Sequence, residues 1–375
     1  MAGIYIHVPF CIQACHYCDF YFSTSLKNKT KVINAIKQEL SIQKNYLNNA
    51  PISTIYFGGG TPSVLTGDEM TSIIDVINKQ FYVNSNVECT IEANPEDITT
   101  EKLSSWFYSG INRISLGVQS FRDDDLKYMN RVHNGITAEK SIELIVLSKI
   151  DNFSVDLIYG FPKLSDYFWK KNIQKLINLK IKHISCYCLT VEKNTALFHL
   201  IKNKKYETIN PERGRNQFLI AHNMLTNNGY EHYEISNFAK DSFKSKHNQN
   251  YWNHTFYLGV GPSAHSFNGS SRHWNIKNNL LYCNAIQNHK PHYKKEILSK
   301  KDIINEYILT TIRTNKGIDL QYICNKIDNL ELVLFKSEVQ KLIKKKLIIK
   351  TNNNILLTLS GMLFADQIAS DLFII

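Results

Sequence analysis

Along the first 235 residues, short apolar runs alternate with longer stretches whose apolar positions recur every three to four residues. The short runs are GIYIHV (3–8), STIYFGG (53–59), VECTIEA (87–93), RISLGVQ (113–119), FSVDLIYG (153–160) and HISCYCLT (183–190). They are rich in β-branched and aromatic residues and end at Gly, Pro or polar clusters, which predicts strands. The periodic stretches at 27–48, 68–80, 137–148 and 167–178 predict helices. Thr66-Gly67-Asp68-Glu69 reads as a capping box opening one of them. Strands that alternate with helices in this way predict an α/β fold with a parallel sheet, curled into a barrel or partial barrel. In such folds the functional residues gather at the C-terminal ends of the strands.

The pattern changes after residue 230. GYEHYEISNFA (229–239), KHNQNYWNH (246–254) and LGVGPSAHSF (258–267) are rich in Tyr, His, Asn and Gly and lack clear periodicity. A barrel domain over 1–235 is therefore expected to be followed by a loop-rich segment, 236–298, packed against it. From about residue 300 the pattern is helical again, ending in a helix (336–346), LIIKT (347–351), a polar turn, ILLTL (355–359) and a last helix from Ser360. Helix, two-stranded wing and helix predict a small winged-helix-like domain over 299–375.

Composition narrows the class. Hydrophobic residues are 43% and charged residues 21%, as in an ordinary globular chain, which excludes collagen, coiled coil and disorder. No run approaches 18 apolar residues, and the first residues lack a basic stretch followed by a long apolar one. The expected location is therefore the cytoplasm, where thiols stay reduced. A formal charge of +11 invites a nucleic-acid reading, but the cations are mostly Lys and are spread along the whole chain. The terminal domain has no Arg-rich recognition helix, so it reads as a protein-contact or lid module, and no nucleic-acid partner is expected.

Of the eight Cys, three fall in the first 18 residues, as C-x3-C-x2-C at Cys11, Cys15 and Cys18, directly after the first strand. Three thiolates on one loop can bind three irons of a cubane cluster and leave the fourth iron open. A zinc site completed by His7 or His16 is the alternative. Cys186 and Cys188 alternate on the sixth strand and read as packed small hydrophobes; Cys89, Cys283 and Cys324 are isolated. After the second strand comes Tyr56-Phe57-Gly58-Gly59-Gly60-Thr61-Pro62, where glycines would let the backbone approach a ligand and offer it N–H groups.

The cysteine loop, with an aromatic before its third Cys, and the Gly-rich segment together resemble the radical S-adenosylmethionine superfamily. YIHVPFC (5–11), EANP (92–95), GVQSF (117–121), DLIYGFP (156–162), YEISNFA (233–239) and HNQNYW (247–252) narrow the resemblance to the coproporphyrinogen III dehydrogenase-like group. That group holds an oxygen-independent dehydrogenase of porphyrin synthesis and a branch of haem chaperones. The resemblance implies a [4Fe-4S] cluster on the three Cys, whose open iron chelates S-adenosylmethionine and whose electron cleaves it. Tyr5, Gly59 and Glu92 match positions that contact the cluster-bound cofactor. Tyr17, Gly60, Thr61, Gln119, Arg131 and Asp156 match those lining a second cofactor position in the dehydrogenase.

Two features point to the chaperone branch. The dehydrogenase motif continues to a fourth cysteine, where this chain has Cys18-Asp19-Phe20. The dehydrogenase also carries an N-terminal extension ahead of the cluster motif, which is not expected here because the first strand opens at residue 3. The branch implies haem as cargo, a haem-accepting protein, for instance of a respiratory chain, peripheral membrane contact through that acceptor, and a homodimer. His247 is the candidate axial haem ligand, with Tyr251 and Trp252 packing on the macrocycle; His265 or a Cys are other ligands. The family's G-L-P-G-Q after the fifth strand is here Gly160-Phe161-Pro162-Lys163-Leu164, so that loop is expected to be shaped differently. The run from Thr310 to Asp319, similar to the family's L-R-x-x-x-G-I-D segment, is expected to set the terminal domain over the barrel mouth.

Overall fold

The computed structural model describes the backbone of residues 1–375 and every side chain except that of Asp241. All six expected strands form: β1 (Ala2–Val8), β2 (Ile52–Gly59), β3 (Val83–Ala93), β4 (Arg113–Gln119), β5 (Phe153–Tyr159) and β6 (His183–Cys188). They lie side by side in chain order and pair in parallel. The expected helices are present at Lys29–Ile42, Gly67–Gln80, Gly135–Val146 and Asp166–Asn178. Thr66 and Glu69 make both hydrogen bonds of the capping box. Further helices form at Thr100–Tyr108, Asp123–Tyr128, Ala196–Lys202 and Pro211–Asn227.

Alternation along the strands explains both layers. Ile4, Ile6, Ile55, Phe57, Ile91, Ile114, Leu116, Val155, Leu157 and Ile184 belong to the main core. Their neighbours point to the other face, and register aligns them across strands: Tyr5 with Tyr56, Tyr56 with Thr90, Glu92 with Ser115, Ser115 with Ser154, Asp156 with Ser185. A strand shows opposite faces at successive residues, so one sequence builds an apolar outer face and a polar inner one. Buried polar side chains persist where they are hydrogen-bonded or serve a ligand.

The segment 236–298 is turn-rich, but it is more ordered than its sequence pattern predicts. β7 (Glu231–Glu234) and β8 (Asn237–Ala239) add antiparallel strands beyond β6. On the other side β9 (Phe256–Val260) pairs in parallel with β1. β10 (His265–Phe267), β11 (Ser271–Asn275) and β12 (Tyr293–Ile297) continue from it in antiparallel fashion. The result is one twelve-stranded sheet, ordered β12-β11-β10-β9-β1-β2-β3-β4-β5-β6-β8-β7, and it remains open: a partial barrel. These added strands are three to five residues long, too short to show a period, and β11 and β12 carry the polar sequences SRHWN and YKKEI.

One buried carboxylate secures the addition. Glu39, on the helix Lys29–Ile42, is 1% exposed. Its oxygens accept from the Gly261 N–H (2.8 Å), Asn275 Nδ2 (2.8 Å) and the Tyr282 hydroxyl (2.5 Å), and lie 3.1 Å from His292 Nε2.

The C-terminal domain has its own core, built on Ile308, Ile312, Ile323, Leu342, Ile355 and Ile368. Its three strands, β13 (Ile318–Asp319), β14 (Ile348–Lys350) and β15 (Asn354–Leu357), order as β13-β15-β14 behind the helix Asn329–Lys344, which matches the winged-helix expectation. Its placement differs from expectation, because among the described residues none from 299–375 lines either cavity described below. The Asn315 N–H donates to the Tyr233 carbonyl (3.1 Å), and Ile235 packs on the domain's core. Thr310 Oγ1 lies 2.7 Å from His254 Nε2, and Arg272 Nε donates to Glu306 (2.5 Å). The domain thus spans from β7 at one end of the open sheet to the β9–β11 side at the other, instead of covering the mouth.

Candidate functional site

The inner face opens at the C-terminal ends of the strands into a cavity of about 660 Å³. Cys11, Cys15 and Cys18 line it, on the loop that follows β1. That loop is held by backbone bonds at several points. The Cys11 N–H donates to the Ser23 carbonyl (3.0 Å), the His16 N–H to the Met129 carbonyl (3.1 Å) and the Leu197 N–H to the His16 carbonyl (2.7 Å). Asn130, at φ 59°, donates its side-chain amide to the Ala14 carbonyl (2.7 Å). Burial pushes the Cys11 thiol up to about 11, against a hydrogen bond with Thr61, and the Cys18 thiol up to about 12. Both sulfurs are therefore protonated at neutral pH until a cation replaces the proton.

The two histidines of the zinc alternative each have a partner elsewhere. Among the described residues no three His, Cys, Asp or Glu side chains converge on a single metal position. His7 is tied to the Tyr21 carbonyl (2.9 Å) and the Tyr5 hydroxyl (3.1 Å), and His16 Nδ1 to the Tyr128 carbonyl (3.0 Å). A cubane asks less convergence of its ligands, because each thiolate meets a different iron.

The glycine segment forms a ledge beside this loop. Gly59 sits at φ +110°, and a Cβ there would lie 2.6 Å from the His7 ring; one on Gly60 would lie 2.6 Å from the Phe10 carbonyl oxygen. Only glycine fits this approach. Thr61, buried at the base, receives the Asn94 side-chain amide at 3.4 Å. Glu92 accepts from the Tyr56 hydroxyl (2.8 Å) and the Gly59 N–H (3.2 Å), and burial raises its carboxyl to about 7. Arg131 donates to Asn94 Oδ1 (2.6 Å), the Gly117 carbonyl (2.9 Å) and Cys15 Sγ (3.3 Å). Asp156 accepts from Ser115 (3.0 Å), and burial raises its carboxyl. Gln119 ends β4 at φ +65°, where the β4–β5 register slips, a strained conformation for a side-chain-bearing residue.

Eight of the nine expected cofactor contacts line this cavity: Tyr17, Gly59, Gly60, Thr61, Glu92, Gln119, Arg131 and Asp156. Tyr5 does not. It lines a second cavity, of about 490 Å³, together with His7, Tyr21, His247 and Tyr257. Tyr187 of β6 lines this cavity as well, so the curved sheet brings its first and sixth strands around one lumen. Asp19, Phe20, Tyr56, Glu92, Tyr187 and Asn248 belong to both cavities, which therefore adjoin.

His247 is placed differently from an accessible haem ligand. It is 1% exposed, stacked on Tyr56 (4.7 Å between ring centroids), with Nδ1 2.8 Å from Thr54 Oγ1 and Nε2 3.1 Å from the Tyr251 hydroxyl. Its backbone N–H, with that of Lys246, donates to Glu88, which anchors the helix Lys246–Trp252 against the inner face. Burial lowers its pKa to about 3. Iron could reach either ring nitrogen only after a buried hydrogen bond broke.

Several lining residues carried no separate signal in the sequence. Asn94 and Glu96 lie within or beside the EANP run, while Ser115 is one Ser among many. Cys186 is packed as expected, but Cys188 is exposed at the cavity's edge, because β6 ends there.

A partial barrel with its cluster-type loop after β1 and its glycine ledge after β2 is the architecture of a radical S-adenosylmethionine protein. Residues 5–182 match the radical SAM superfamily and residues 298–364 the HemN C-terminal domain. The structure of coproporphyrinogen III oxidase (HemN) from Escherichia coli has the same fold, with TM-score 0.85 over 99% of this chain and 90% of that one, at 20% identity. The haem chaperone HemW of Bacillus subtilis (strain 168) is 32% identical over 372 residues, covering 98% of both chains. That of Escherichia coli (strain K12) is 34% identical over 266 residues, covering 70% of this chain and 69% of its own. The chain belongs to the HemW family.

Membership brings a [4Fe-4S] cluster and S-adenosylmethionine, and the cavity fits both. Gln119 Oε1, Asp156 Oδ1 and Arg131 Nε are buried there without a hydrogen-bond partner among the described residues. Such orphaned groups are costly unless a ligand satisfies them.

Proposed function

We propose that this chain is a haem carrier: it takes up haem, holds it beside a cluster-bearing radical SAM core and passes it to a haem-requiring acceptor. Full-length similarity to proteins named haem chaperone HemW supports this reading. The observation that carries it in the structure is Phe20. It occupies the place of the dehydrogenase's fourth cysteine and is 69% exposed where the two cavities meet. A phenyl ring cannot take over a thiol's proton or electron chemistry, but it suits a flat apolar cargo.

Cys11, Cys15 and Cys18 would hold the cluster. Bound there, the cluster supplies an electron and an open iron able to chelate the amino and carboxylate groups of S-adenosylmethionine. The chain's own residues orient that cofactor. Gly59 would present backbone to its polar end, and Glu92, once ionised, would accept from its amino group. At the second cofactor position, beside Gly60, Arg131 would face a carboxylate and Asp156 a hydroxyl. Tyr56 and the Gly59 N–H keep Glu92 in place. The acceptor is proposed to be a haem protein such as a respiratory-chain component. All eight cysteines are free, which suits a reducing cytoplasm. Among the described residues no helix is long and apolar enough to cross a membrane.

The test is to reconstitute the cluster anaerobically and offer the protein haem and, separately, coproporphyrinogen III with S-adenosylmethionine. Stable haem uptake without porphyrinogen turnover is expected. Conversion to protoporphyrinogen IX without haem uptake would replace the carrier with a dehydrogenase.

A further inference from the structure

Two side chains from outside the cysteine loop reach its sulfurs. Arg131 Nη1 donates to Cys15 Sγ (3.3 Å), and the Thr61 hydroxyl bonds to the Cys11 thiol. One amide joins them. Asn94 Oδ1 accepts from Arg131 Nη2 (2.6 Å), and Asn94 Nδ2 donates to Thr61 Oγ1 (3.4 Å). Because Thr61 accepts from Asn94, its own O–H is left to donate to Cys11. A single side chain at the end of β3 thus orients the partners of two cysteines.

Local structure holds this amide in place. Pro95 confines Asn94 to extended backbone, at φ −97° and ψ 152°. In the turn that follows, Asp97 accepts from the Ser63 hydroxyl (2.7 Å), just beyond the glycine ledge, and pairs with Lys102 (3.1 Å). Arg131 is constrained as well, since Nη2 also donates to the Gly117 carbonyl (2.9 Å). A planar fork meets Cys15, Asn94 and Gly117 at once, a geometry that an ammonium does not reproduce.

The consequence for a cluster follows from charge. Reduction adds electron density to the thiolates, so a hydrogen bond or a nearby cation favours the reduced form and raises the potential. Among the described residues lining the larger cavity, Arg131 is the sole Lys or Arg, whereas Glu92, Glu96 and Asp156 line the same wall. We infer that Asn94 is a positioning residue for the cluster: it holds Arg131 on Cys15 and Thr61 on Cys11, and so raises the cluster's reduction potential. This rests on the cluster placement proposed above. It makes the end of β3 a determinant of how readily the cluster gives up its electron.

The test reconstitutes the cluster anaerobically in the full chain, without S-adenosylmethionine, and titrates it with dithionite in the presence of mediator dyes. The reduced cluster is read by electron paramagnetic resonance. In Arg131→Gln the ratio of reduced to oxidised cluster at the wild-type midpoint is expected to fall about tenfold, a one-electron shift of about 59 mV. Asn94→Ala is expected to shift the midpoint the same way by less, and Arg131→Lys to fall between wild type and Arg131→Gln. A merely structural Asn94 would alter iron loading or the urea midpoint but not the potential of the loaded cluster. Labelling with [15N]arginine covers the case of variants that load no cluster: pulsed resonance of the reduced wild-type cluster is expected to show a nitrogen coupling from Arg131. Wild-type potentials in loaded Asn94→Ala and Arg131→Gln, or no arginine nitrogen coupling in the wild type, would overturn the assignment. A wild-type chain that assembles no cluster, or full iron loading in Cys15→Ser, would instead remove the cluster placement itself.

Discussion

Glu39→Gln is a near-isosteric change at a residue outside the candidate ligand set, and it should loosen the added strands β9 to β11. Three donors converge on the two carboxylate oxygens, Gly261 and Tyr282 on one and Asn275 on the other, and His292 Nε2 lies 3.1 Å from the second. Glutamine keeps one acceptor oxygen and turns the other into a donor. Whichever oxygen becomes the amide nitrogen, at least one buried donor then faces it with no water to turn to, since the site is 1% exposed. At about 1–3 kcal/mol for each buried unpaired group, the substitution costs at least about 1–3 kcal/mol. A chain with two cores need not unfold in one step, so the loss is best read locally. Amide hydrogen exchange of Gly261–Asn275 should accelerate well beyond that of β2–β5, alongside a lower midpoint in urea. Unchanged exchange in this segment and a stability loss below about 1 kcal/mol would refute the claim that this carboxylate anchors it.

Three further expectations concern the cofactor side and the scaffold. Cys15→Ser should abolish the charge-transfer absorbance of the reconstituted cluster while leaving far-ultraviolet circular dichroism unchanged; full iron loading in that variant would remove Cys15 from the ligand set. Glu92 binds its proton more tightly folded, near 7, than unfolded, so the ligand-free protein loses stability as pH rises from about 4.5 to 7, by about 3 kcal/mol. Urea unfolding should show that slope in wild type and a flatter one in Glu92→Gln, and equal slopes would contradict it. Thr66→Ala removes one arm of the capping box before Gly67–Gln80 and should cost about 1 kcal/mol, measured by denaturant unfolding.

The parts of the molecule legible in the sequence are those whose physics is local. β1 to β6 are apolar runs bounded by turn residues, and the cysteine loop and glycine ledge are fixed by spacing within a few residues. What was hidden depends on distant partners. β9 to β12 are short strands, β11 and β12 of them polar, that exist because a sheet edge and Glu39 receive them, and Glu39 itself reads as one more polar position on an amphipathic helix. His247 looked available because its motif is conspicuous; Thr54, 193 positions away, takes one of its nitrogens.

The most direct measurement is an anaerobic haem titration of the cluster-loaded full chain, read at the Soret band and checked by haem retained per chain after gel filtration. A haem carrier predicts saturable uptake at one haem per chain, in a complex that gives up its haem when an apo-haemoprotein is added. Absence of saturable uptake, with coproporphyrinogen III consumed by the same preparation, would contradict it.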